Sequence, residues 1–282
     1  MRPAQAGYPH APAGLVGCDV DFLLECIGFP PDQDLDVLAR LTLARGEPVA
    51  WRGPSGEHMR LGLAPGLDLR LDREEGREFF SLYPHFQANA RLRIAVDEVR
   101  DLPDAPYDAL LIGTANPLAR SSPAFEDESY PLSCVLTDAR RLPTRLDPGH
   151  VLAVSIAGFA IDVERVVPTL EGANDHGAMR FEDGGWIAPL GGTLDPGGCV
   201  ELALRVISLE RFENPVSGAS VTRIEADAPG RPLTLFLSPW QLDVDRIPRP
   251  EPGAWIVGTF LLSGRVAGGL ASPTGRLRRS FG

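Results

Sequence analysis

The stretch Pro131-Leu-Ser-Cys-Val-Leu-Thr137, followed by Asp147-Pro-Gly-His-Val-Leu-Ala-Val-Ser-Ile156, has a counterpart about a hundred residues later. The counterpart is Pro232-Leu-Thr-Leu-Phe-Leu-Ser238, followed by Glu251-Pro-Gly-Ala-Trp-Ile-Val-Gly-Thr-Phe260. Asn116-Pro117 precedes the first pair and Asn214-Pro215 precedes the second. Both read as apolar run, Asn-Pro, apolar run, Pro-Gly, apolar run. Matched residues are offset by 98 (Asn116 to Asn214), 101 (Pro131 to Pro232) and 104 (Pro148 to Pro252). The drift falls in loops, where insertions are tolerated. The chain has only four Asn, and two of them precede Pro in this order, so the match exceeds shared turn composition. A repeat on this scale predicts a duplicated β unit, a small barrel, and it does so before any chemical motif is considered.

Strand patterning extends the unit in both directions. Arg91-Leu-Arg-Ile-Ala-Val-Asp-Glu-Val99 alternates apolar and polar residues, as a half-buried strand does. Residues 107–112, 132–136 and 151–163 read as the strands that follow. In the second copy the strands are 200–209, a segment around Arg223, 233–237 and 255–266. Gly158, Gly258 and Gly264 interrupt apolar strands and predict the bulges or bends that barrel corners need. This order of a long first strand, an apolar middle strand and a Pro-Gly turn into a Gly-broken strand resembles the OB-type five-stranded barrel. The resemblance is to a fold, and it implies a barrel without implying a ligand.

Upstream lies a smaller α+β unit. Asp19 to Ile27 reads as a short helix capped by Asp19 and ended by Gly28. Asp32 to Arg45 reads as a second helix, with acidic residues early and Gly46 after it. Residues 49–51, 58–63, 67–71 and 78–83 read as strands, with Pro65-Gly66 as a turn. The expected organisation is mainly β. An N-terminal α+β unit (1–88) precedes two repeated OB-like barrels (89–167 and 200–268), joined by a Gly-rich connector (168–199) that holds a hairpin around Glu182 to Gly185, and followed by a disordered tail (269–282).

Composition narrows the function. All 27 basic residues are Arg, against 38 Asp and Glu, for a net charge of −11. The absence of Lys removes Schiff-base chemistry and the lysine of phosphate loops. The acidic balance disfavours nucleic acid, and the one compact basic run is Arg276, Arg278 and Arg279 at the C-terminus. No apolar run is long enough to span a membrane, and Met1 to Gly14 lacks a signal-peptide pattern, so a cytoplasmic location is expected. Cys18, Cys26, Cys134 and Cys199 lack metal-site spacing and read as reduced thiols in or near a core.

Each polar candidate has a plain reading. His176 beside Asp175, near Glu182 and Asp183, could form an acid/base pair or a hard-metal site, but a solvated loop accounts for it. His85 reads as a strand-end histidine satisfied by backbone. His58, alternating with Arg60, and His150, after a turn glycine, read as surface. Asn116 and Asn214 read as turn residues whose side chains bond nearby backbone. No serine elbow is present. Trp240 and Trp255 have no aromatic counterparts at Ala139 and Val151, so a stacking platform is not duplicated. The sequence therefore assigns no catalytic, cofactor-binding or metal residue and no cofactor. The expected function is a non-catalytic interaction or scaffold protein, binding another protein or itself as a homodimer. Single-stranded nucleic-acid binding through a barrel face is the alternative, and an enzyme of unknown type the second.

Overall fold

The computed structural model describes residues 20–49, 56–75, 80–87, 90–102, 108–117, 129–137, 148–170, 183–190 and 197–267, with residues 139, 142, 146 and 181. The chain is mainly β and forms two sheets. Among the described residues the helices are α1 (Val20–Glu25), α2 (Leu35–Arg45) and α3 (Pro239–Val244). The first sheet contains β1 (Glu47–Pro48), β2 (Gly56–Ala64), β3 (Leu67–Glu74) and β4 (Phe80–Phe86), paired in that order. The second contains β5 (Leu92–Asp101), β6 (Ala109–Ala115), β7 (Tyr130–Leu136), β8 (Val151–Val167), β9 (Trp186–Pro189), β10 (Cys199–Glu213), β11 (Ser220–Asp227), β12 (Leu233–Phe236) and β13 (Trp255–Val266).

Local chemistry explains the elements. Asp34 caps α2 by accepting from Val37 N at 3.0 Å, and the Gly46 N–H bonds back to Thr42. The Pro65-Gly66 turn brings β2 onto β3 with Gly66 at φ 80. In β3 the alternating Leu67, Leu69 and Leu71 are fully buried. The opposite face of that strand carries Asp68, Arg70 and Asp72.

The second sheet branches at three strands, one of them β10, which pairs with β9, β11 and β13. β8 pairs with β5, β12 and β13, and β13 pairs with β7, β8 and β10. Following the pairings β8–β5–β6–β7–β13 returns to β8. Following β8–β12–β11–β10–β13 also returns to β8. Segments 89–167 and 200–268 are thus joined in one sheet by the long β8–β13 seam. The Gly-rich segment between them contributes β9, which lies at the sheet edge beside β10.

One apolar core runs through both sheets and the helices. Phe236 of β12 stacks on Phe159 of β8 at 5.2 Å and meets Phe86 of β4 edge-on at 5.2 Å, so it ties the sheets together. Gly158 departs from its expected role. The register shows no shift there, and a Cβ at Gly158 would lie 2.7 Å from Leu235 Cδ2, so this glycine serves close packing. Gly258 does sit at a register shift, as expected, and a Cβ there would meet Asp162 O at 2.3 Å.

Candidate functional site

The densest polar cluster lies between the two sheets. Register puts His58, Asp72 and Ser81 in one row across β2, β3 and β4, with Arg60, Arg70 and Tyr83 in the next and Gly62, Asp68 and His85 in the third. Paired residues of antiparallel strands share a face, so these side chains form the polar face of the first sheet. Its centre is buried: His58, Arg70, Asp72, Ser81 and His85 are each at most 9% exposed.

Asp72 anchors the cluster. One carboxylate oxygen lies 2.7 Å from His58 Nδ1 and the other 2.7 Å from Arg70 Nε. Arg70 also lies 4.0 Å from Asp108, just before β6, and donates to the carbonyl of Thr137, just after β7. A guanidinium from the first sheet therefore plugs the end of the second. His58 was expected at the surface from its alternation with Arg60, and the structure corrects this. His58 is buried at 7% exposure, while Arg60 and Gly62 on the same face of β2 are exposed.

His85 stands one row away and is also buried. Burial, and then the charges of Arg265, Arg70 and Arg60, pull its pKa down to about 3 from 6.5. It is neutral at pH 7. Across the strand, burial raises Asp68 above the usual carboxylate range despite Arg60 and Arg265.

An aspartate-held imidazole is the arrangement that orients a general base. Here the His58 Nε2 is buried. The thiols are no better placed. Burial raises Cys26, whose Sγ lies 3.3 Å from Ala160 O, and pushes Cys134 up to about 12. Such thiols are poor nucleophiles. Among the described residues no three His, Cys, Asp or Glu side chains converge as a metal-ligand set. The geometry instead joins chain segments, and other buried polar groups do the same. Ser238 Oγ donates to the buried Glu25 at 2.6 Å, and Asn214 Nδ2 donates to Ile27 O at 2.7 Å.

Asn214 acts as the expected turn residue, whereas the Asn116 side chain bonds backbone far along the chain. Asn214 Oδ1 accepts from Val216 N at 2.8 Å, while Asn116, at φ 49, donates to Pro229 O. Their placement corrects the sequence match. Asn116 follows β6, whereas Asn214 follows β10, the strand whose partners correspond to those of β5. Their apparent alignment came from turn chemistry that suits either position.

The remaining candidates scatter. His176, Asp175, Glu182, Cys18 and Arg276 to Arg279 lie outside the described residues. Asp183 accepts from Gly185 N at 2.9 Å within a turn bonded from Phe181 to Gly185. His150 is exposed, as expected, and its carbonyl accepts from Val96 N. Trp255 is 8% exposed and cannot stack on a base from solvent. Sequence reasoning missed α3, although Ser238-Pro239 is the signature of a capped helix start with Pro at its first position. It also missed Asp72, Arg70 and Asp108, which look like ordinary surface charges.

Surface Arg side chains are widely matched by carboxylates. Arg60 pairs with Glu47, Arg73 with Glu57, Arg100 with Glu98, Arg205 with Asp227 and Arg223 with Glu210. No described helix is long and apolar enough to cross a membrane. Compared with known protein families, curated proteins and solved structures, the chain matches none.

Proposed function

We propose that this chain is a non-catalytic interaction scaffold built from two copies of one OB-like β unit, fused through the β8–β13 seam. Each copy closes a five-strand ring with a strand of the other. Matching registers support the duplication. Val96 N donates to His150 O and Gly149 N to Val96 O, and Val206 and Ala254 and Gly253 repeat this pair of bonds. A bulge follows each valine, between Val96 and Glu98 in β5 and between Val206 and Ser208 in β10. Leu92↔Val154 corresponds to Leu202↔Gly258, and Val135↔Ser263 corresponds to Phe236↔Phe159. The seam pair Gly158↔Leu262 joins positions that correspond at the same offset of 104 as Pro148 and Pro252.

The scaffold reading is carried by one observation: the buried polar side chains link distant parts of the chain. His58, Asp72 and Arg70 fasten β2 and β3 to Asp108 and Thr137, and Ser238 fastens Glu25. Such joints favour a fixed platform. Strand addition is an unfavourable mode of binding for it. The described strands with a single pairing neighbour are β1, β4 and β9, and they contain Pro48, Pro84 and Pro189. Proline blunts edges against further pairing. Recognition of a protein partner, or of a second copy in a homodimer, therefore falls to loops and ring faces. Buried thiols at Cys26, Cys134 and Cys199 suit a reducing compartment and a cytoplasmic location.

Fluorescence titration with labelled single-stranded oligonucleotides at low and moderate salt tests this reading against nucleic-acid binding. The scaffold reading expects no saturable binding in the micromolar range. Saturable binding that weakens with salt overturns it.

A further inference from the structure

We draw no further inference here: the strongest candidate, the side-chain cluster around the buried His85 on β4, with Asp68 beside it on β3, belongs to the site already described and rests on the titration of that one histidine alone.

Discussion

The strand set β5 to β8 and the strand set β10 to β13 are held by matching backbone bonds but closed by different chemistry. Val96 and Val206 make the same two bonds to the turns at Gly149 and Gly253. Thr137 follows β7 and Ser238 follows β12, at the offset of 101 that also separates Pro131 and Pro232. There the likeness stops. The Thr137 carbonyl accepts from Arg70 of β3, whereas the Ser238 hydroxyl donates to Glu25 of α1. The N-terminal segment occurs once and meets both ends, so it cannot meet them alike. Backbone register follows from pleat and turn geometry and can recur. A buried polar joint depends on the particular neighbour and cannot.

The sharpest way to test that contrast is to weaken one joint at each end. Asp72→Asn removes the charge that holds both His58 and Arg70, leaving Arg70 with Asp108 at 4.0 Å. Stripping one partner from a buried ion pair costs about 3–5 kcal/mol. Glu25→Gln keeps an acceptor for Ser238 Oγ and should cost about 1 kcal/mol. Urea unfolding at pH 7 reads both. Equal losses would mean that the two ends are closed with the same strength, and the difference in chemistry would carry no energetic weight.

Acid should act on the Thr137 end through His85. Its folded pKa of about 3 lies below the ordinary 6.5, so the unfolded chain takes up this proton first as pH falls. The stability that follows is complete above about pH 6.5 and is lost progressively as pH falls toward 3. Between pH 7.5 and pH 5 the native chain should lose about 2 kcal/mol more than His85→Gln, by the linkage between pKa and stability. Parallel urea titrations at the two pH values measure this. Identical slopes for the two proteins would show that His85 is protonated in the folded state and that its burial among Arg60, Arg70 and Arg265 is misassigned.

These joints are the part of the molecule that the sequence concealed. The strands were legible because Leu67, Leu69 and Leu71 alternate strictly, and the turns because Pro-Gly precedes β8 and β13. The mainly β character followed from them. His58, Arg60, Asp68, Arg70 and Asp72 also alternate, and alternation of charge reads as a solvated face. Which of them are buried is decided by contacts far along the chain, and Arg70 meets Thr137 across 67 residues. The β8–β13 seam is equally remote, since Gly158 pairs with Leu262. The asparagines misled for the opposite reason. Asn before Pro is a strong local turn signal, and a strong local signal can occur at two positions that do not correspond.

The smallest predicted effect is also the cleanest measure of how alike the two strand sets are. Gly149 and Gly253 have φ of 82 and 90, in the left-handed region that costs an L-residue. A Cβ at either position would find nothing within 4 Å, so packing contributes nothing and backbone conformation alone decides. Gly149→Ala and Gly253→Ala should each cost about 1 kcal/mol, with equal values in matched urea unfolding curves. The double variant should show the sum, because the two turns share no contact partner. A difference larger than about 1 kcal/mol between the single variants would mean that the turns only resemble one another. The matching bonds of Val96 and Val206 would then reflect the common geometry of bulged hairpins instead of a common origin.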